Sequence, residues 1–312
     1  MAWAGGVILA FGVLVLLFVA YQLWGTSITA QLHQDALRTQ FNHELATLRA
    51  QQKGARATGA LPLDTTTTTQ ALRGFAPITP GVAPTEGQPI GIIDIPEISA
   101  DYVVVQGTGT ADLELGPGHY MNTPLPGQPG NAAIAGHRTT YLHPFYNLNE
   151  LAQGDPIYVT TTQGRFQYDV ATIQAVAPTD LAVLDPTTAP TLTLTTCNPR
   201  FSAAQRLVVQ ATMVSTPAPI ATVNHPIDGA EHVSQGTTHS QTQLAGQSGG
   251  SPWLAVGWGV AVAVVVGGIW FLLRRRQHWY GRLSVAAVGL IPVLALLFFF
   301  FQSLSPLLPA SF

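Results

Sequence analysis

Three runs of about twenty residues carry no charge and present no polar face to water, and a chain that holds them cannot fold as one soluble domain. The first covers residues 4 to 24 (AGGVILAFGVLVLLFVAYQLW), the second Trp253 to Leu273 and the third Leu283 to Phe301. Each is about long enough to cross a hydrocarbon core of roughly 30 Å. Composition agrees: of 312 residues only 9% are charged while 47% are apolar, too little charge for an ordinary soluble enzyme.

The first run has no basic leader and no clear small-residue cleavage site, and a polar helical stretch follows it, so it is expected to stay as an anchor. Between the last two runs lie Arg274, Arg275, Arg276 and Arg282, which makes them a helical hairpin with its turn on the cytoplasmic side. Residues 27 to 252 and the C-terminus then lie outside. A net charge of −3 with no basic stripe gives no reason to expect a nucleic-acid partner.

The organisation expected from this is an anchor at 1–26, a membrane-proximal helix at 27–57, a linker at 58–86, an extracellular domain at 87–214, a second linker at 215–252, a transmembrane hairpin at 253–303 and a short tail at 304–312. Leu32, Leu37, Phe41, Leu45 and Leu48 recur at spacings of three to five and give the membrane-proximal helix its apolar stripe. The first linker holds five successive threonines, Thr65 to Thr69, and cannot bury enough apolar surface to order itself. The second is rich in Ser, Thr, Gln and Gly. Its His225, His232 and His239 have no other ligand types nearby and are expected to be solvated.

Between the linkers, short runs rich in β-branched residues alternate with Gly, Pro and Asn turns: Ile90–Ile95, Tyr102–Gln106, Ala132–Ala135, Pro156–Thr162, Phe166–Val176, Thr191–Thr196 and Leu207–Met213. Seven or eight strands with short connections predict an all-β fold, a closed antiparallel barrel. The stretch from Asn147 to Leu151 is expected to supply a helical turn.

The chemistry concentrates in two segments. In Thr191 to Met213 (TLTLTTCNPRFSAAQRLVVQATM), a period of two sends Leu192 and Leu194 to the core and carries Cys197, the single cysteine, onto the threonine face. An exported domain with one cysteine has no internal disulfide to make of it. A hairpin after Cys197 would bring Arg206 beside it, and a cation favours the nucleophilic thiolate and can stabilise an oxyanion. Spacing leaves open whether Arg206 does this or faces water at a strand edge, and Arg200 in the intervening loop competes for the role. In Asn131 to Leu151 (NAAIAGHRTTYLHPFYNLNEL), His137 sits where an apolar strand ends, and an imidazole can pass a proton near neutral pH.

The order His, Cys, Arg, with AGHRTTY around the histidine, a TLTTC strand end and the arginine nine residues after the cysteine, resembles the sortases, and most of all the class E sortases of high-GC Gram-positive bacteria. The resemblance runs from about Gly91 through Gly116-Pro117-Gly118-His119-Tyr120 to Met213. It implies a sortase-like barrel in which Cys197 is the nucleophile, His137 the general acid and base, and Arg206 the oxyanion-stabilising and substrate-orienting cation. It further implies that Thr196 helps the oxyanion site and that His119 or Tyr120 lines the substrate groove. The implied reaction is cleavage of an LPXTG or LAXTG sorting signal between Thr and Gly through a thioester. The implied partners are secreted proteins with a C-terminal sorting signal and a peptidoglycan-precursor amine, at the membrane. No cofactor is expected, and the lack of a dense carboxylate cluster gives no reason to expect calcium. The C-terminal hairpin departs from the class E pattern and is similar to the extra span of pilin-polymerising class C sortases, although the Asp-Pro-aromatic lid motif of that class is absent before the domain.

Overall fold

The computed structural model describes residues 12–57, 84–215, 252–275 and 279–304. Most of both expected linkers, residues 1–11 with the start of the first apolar run, and most of the C-terminal tail lie outside the described residues. The elements are α1 (described over residues 12–20), a π-helical turn at Tyr21–Gly25, α2 (Thr26–Ala57), β1 (Pro89–Ile95), β2 (Ala100–Gln106), α3 (Thr110–Leu115), β3 (Gly118–His119), β4 (Asn131–Ala135), β5 (Pro156–Thr161), β6 (Gly164–Val176), β7 (Thr191–Asn198), β8 (Gln205–Met213), α4 (Pro252–Arg275) and α5 (Trp279–Leu304). They fall into two compact units, one of residues 1–28 with 248–310, the other centred on the strands.

The strands close into a barrel in the order β1-β2-β3-β4-β7-β8-β6-β5. Alternation builds it: on β5, Ile157 and Val159 point inward while Pro156, Tyr158 and Thr160 are only partly covered. Ile93, Ile134, Leu148, Leu192, Leu194 and Val209 meet in one core with Phe145 and Tyr168.

Two features correct the sequence reading. The barrel is not wholly antiparallel, because β2 pairs with β3 and β4 with β7 in parallel. Short hairpins enforce antiparallel neighbours, but these pairs are joined by longer crossings, residues 107–117 through α3 and residues 136–190 by way of the β5–β6 hairpin. The second feature is β3 itself, a two-residue strand too short to leave a hydrophobic period. Gly118 is required there, since a Cβ would stand 2.1 Å from the Gly107 carbonyl oxygen.

A helix, α2, covers the stretch expected to be helical, with a face shifted from the expected stripe. Gln34, Phe41 and Leu45 are buried, whereas Leu32 is 67% exposed. Phe41 and Leu45 pack with Leu48 against Ile92 of β1. Gln34 extends the sheet where β3 runs out: its Nε2 donates to the carbonyls of Val103 (3.0 Å) and Leu115 (2.9 Å), and Val103 N donates to its Oε1 (2.7 Å). The carboxamide thus satisfies both backbone groups of an otherwise open strand edge. Residues 29–57 accordingly belong to the barrel unit.

In the other unit α4 packs on α5, with Trp258 stacked on Phe299 at 5.0 Å. Tyr21 meets Phe298 and Phe301 edge-on or tilted, at 5.3 and 5.7 Å. Among the described residues one helix is long and apolar enough to cross a membrane, Pro252–Leu272, with a mean hydropathy of 2.1. The apolar part of α5, Gly289–Leu304, is shorter.

Candidate active site

The parallel pairing of β4 with β7 and the antiparallel pairing of β7 with β8 bring three chain segments to one rim of the barrel. Ala135 lies opposite Thr195, so the residues that follow β4 run beside the end of β7. Cys197 lies opposite Arg206 across β7 and β8. This register puts both side chains on one face, next to one another. Cys197 is partly exposed, because β7 reaches the rim there, whereas Thr193 and Thr195 on the same face are buried.

His137 is held to that rim by the residues on either side of it. Gly136 N donates to the Thr195 carbonyl at 3.0 Å. Thr196 Oγ1 donates to the Gly136 carbonyl at 2.8 Å. On the other side, Arg138 Nη1 donates to the Cys197 carbonyl at 3.0 Å and to Asn198 Oδ1 at 2.7 Å. The imidazole edge is half-buried, and its Nε2 is buried with no hydrogen-bond partner. A buried unpartnered nitrogen is costly unless a ligand or a proton supplies the missing contact. Burial pushes the His137 pKa down to about 4, so the resting imidazole is neutral at pH 7.

Arg206 is buried and its Nη1 donates to the carbonyls of Ala203 and Gln205, both at 3.2 Å, which keeps the guanidinium on the rim. The competing Arg200 is committed elsewhere. It caps the Tyr146 ring at 4.2 Å, pairs with Glu150 at 3.2 Å and donates to Asn147 and Asn149. Register, invisible in a linear sequence, separates the two.

Tyr120 is 2% exposed, with its hydroxyl 3.1 Å from Thr195 Oγ1. Burial raises its pKa to about 12, opposed by the bond to Thr195. Tyr120, Thr196 and His119, expected at the groove or the oxyanion site, are all buried. Thr196 Oγ1 donates to the Gly136 carbonyl and so ties the His137 segment to β7. His119 is 1% exposed, with Nδ1 2.9 Å from Gln106 Oε1 and Nε2 donating to the Pro124 carbonyl at 2.9 Å. Both ring nitrogens face inward and none lines a groove. The glycine-rich turn around His119 concealed this, because Gln106 and Pro124 meet the ring only through the pairing of β3 with its neighbours.

The burial of His119 has a measurable consequence. Desolvation lowers its pKa from near 6.5 to about 4. Between those values the unfolded chain binds the proton that the folded chain refuses, so stability is complete above pH 6.5 and falls as pH drops toward 4. The loss from this residue is on the order of 3 kcal/mol. Thermal midpoints of the full chain at pH 7 and pH 4.5 are expected to differ by less in His119→Gln than in the wild type; equal differences would contradict the assignment.

Arg138 was not singled out by sequence reasoning. It is 5% exposed and links the end of β7 to Asn149 (2.7 Å). An arginine beside a strand-end histidine carries no signal of its own, and Asn149 and Asn198 become its partners only through the fold.

The sortase-domain family profile matches residues 93–214. Sortase SrtE1 of Streptomyces coelicolor is 31% identical over 226 residues, covering 67% of this chain and 56% of that protein. Sortase D of Bacillus subtilis is 35% identical over 117 residues, covering 37% of this chain and 58% of that protein. This chain thus spans little more than half the length of these curated relatives. The crystal structure of sortase E1 from Streptomyces coelicolor with a tripeptide in the active site aligns with a TM-score of 0.40 at 32% identity, covering 43% of this chain and 94% of that one. The family profile lies over the closed barrel and its matched span contains the convergent Cys197, His137 and Arg206: this chain belongs to the sortase family.

Proposed function

We propose that the chain is a membrane-anchored cysteine transpeptidase of the class E kind. It cleaves an LPXTG or LAXTG sorting signal between Thr and Gly and joins the secreted protein to a peptidoglycan-precursor amine. The observation that supports this most is the cross-strand placement of Cys197 against Arg206, with His137 bracketed by two residues that bond to the end of β7.

The geometry suggests the order of proton movements. His137, neutral at rest, takes the thiol proton as Cys197 Sγ attacks the threonine carbonyl carbon, and the Arg206 guanidinium balances the charge that develops on the carbonyl oxygen. The C–N bond breaks as the same proton passes from His137 to the departing glycine amine, leaving a thioester. The acceptor amine then attacks the thioester carbon, its proton going to His137, and the C–S bond breaks to regenerate the thiol. Anchoring serves this chemistry because a substrate held by its own tail and a lipid-linked acceptor share the membrane plane, which raises their effective concentration. Three spans, the extracellular side for the barrel and a role in a multi-pass membrane protein rest on the apolar runs and the arginine cluster, with the outward-facing apolar surface of Pro252–Leu272 in support.

Incubating the full chain in detergent with sorting peptides and candidate amines, and weighing the products, tests the reaction. A peptide–amine conjugate with loss of the C-terminal glycine fragment is expected. Intact peptide beside a thiol that methanethiosulfonate still labels would favour a peptide-binding barrel, and a product formed only with a protein lysine would favour pilin polymerisation. Arg206→Lys is expected to lower kcat/KM about a hundredfold, since an ammonium cannot reproduce the planar fork. Arg200→Ala should retain most activity; the reverse pattern would exchange the two arginines.

A further inference from the structure

Directly after the histidine segment the backbone does something unusual. Tyr141, Leu142 and His143 have φ values of 48°, 66° and 40°, three successive non-glycine residues in the left-handed region. Such conformations cost energy and persist only where their surroundings over-determine them. Here Tyr102 Oη donates to the Leu142 carbonyl at 3.2 Å, His143 N to the Thr140 carbonyl at 2.8 Å and Phe145 N to the His137 carbonyl at 3.2 Å. Phe145 is fully buried in the core.

The turn has one conspicuous result. It folds the Tyr141 ring back over the imidazole of His137, with ring centres 5.1 Å apart and planes inclined by 34°. The far end of the ring is fixed, because Tyr141 Oη donates to Glu114 Oε1 at 2.9 Å. Glu114 stands in the last turn of α3, the helix that carries the chain across to β3. Its neighbour Leu115 is clamped through its carbonyl by the buried carboxamide of Gln34. The acceptor is therefore as firmly placed as the ring.

We propose that Tyr141 and Glu114 form a positioning pair for His137: the tyrosine ring fixes the plane of the imidazole, and the carboxylate fixes the ring. The pair touches no reacting atom. This inference rests on the functional reading given above, in which His137 moves the proton. A free imidazole turns about two side-chain torsions, and a proton donor held out of line loses rate without losing substrate affinity. Burial raises the Glu114 pKa while the Tyr141 bond opposes the rise, as expected for a carboxylate kept as an acceptor. The strained turn is then the cost of delivering an aromatic plane to one side of a histidine whose own ring nitrogen Nε2 makes no hydrogen bond.

The test is a double-mutant cycle in the full chain, using a sorting peptide and an amine that the wild type turns over. Tyr141→Phe and Glu114→Ala are each expected to lower kcat about tenfold with KM changed by less than about twofold. The double variant should be no slower than either single one, because both remove the same hydrogen bond. Glu114→Gln, which keeps an amide oxygen as acceptor, should stay within about twofold of the wild type. Additive losses, or losses confined to KM, would overturn the pair.

A second measurement does not need turnover. In the full chain with carbon-13-labelled histidine, the His137 Cε1–H resonance, assigned by its loss in His137→Gln, should move in Tyr141→Leu because the shielding ring is gone. An unmoved resonance would show that the ring does not hold the imidazole. Absence of any peptide turnover in the wild type would sink the functional reading and leave the pair to be decided by this resonance.

Discussion

Cys197→Ala is expected to abolish both peptide cleavage and transfer, to the limit of detection, while the barrel melts within a few degrees of the wild type. The thiol is the nucleophile in this reading, and it is the only cysteine in the chain. Covalent catalysis divides one difficult acyl transfer into two easier ones, so its loss removes the route and does not merely slow it. The side chain is partly exposed at the end of β7, so an alanine leaves no sealed cavity to destabilise the core. Mass spectrometry should show a thioester adduct on the wild type and none on the variant. An adduct on the variant, or full turnover without one, would end the proposal of a cysteine nucleophile.

His137→Ala is expected to cost about a thousandfold in kcat, the second largest effect. The imidazole must accept the thiol proton and return it to a poor leaving group, a glycine amine. Its Nε2 is buried without a partner, and burial drives the pKa to about 4. A group held neutral and unpaired accepts a proton readily only when a negative charge forms beside it, which the attacking sulfur supplies. Single-turnover acylation and the later transfer step should slow together, since one imidazole serves both. If the variant acylated at the wild-type rate and failed only in transfer, another group would be the base in the first step.

Much of the barrel was legible because its strands obey a period of two and its turns carry glycine, proline and asparagine. Leu192 and Leu194 alternate with threonines, and that alternation alone placed Cys197 away from the core. Strand β3 was not legible, because two residues leave no period, and with it went the burial of His119, which belongs to it. The buried face of α2 was misjudged for a related reason. Hydrophobicity singled out Leu32, whereas the docking site requires Gln34, a polar residue whose value lies in its match to an unpaired strand edge.

The site divides in the same way. Cys197 and His137 announce themselves by residue type and by standing at strand ends. Arg206 and Arg200 were indistinguishable until the register of β7 with β8 set one opposite the thiol and salt bridging to Glu150 claimed the other. Arg138, Tyr141 and Glu114 carried no signal, because each takes its meaning from partners in other segments.

By itself, then, the sequence determined the apolar runs, the alternating strands and the types of the reacting groups, since these depend on the hydrophobic period and on intrinsic side-chain chemistry. Only the tertiary structure decided which strands run parallel, which arginine faces the sulfur and what holds the imidazole. Those are matters of register and long-range hydrogen bonding, and residues such as Glu114 and Tyr141, far apart along the chain, meet only once the barrel has closed.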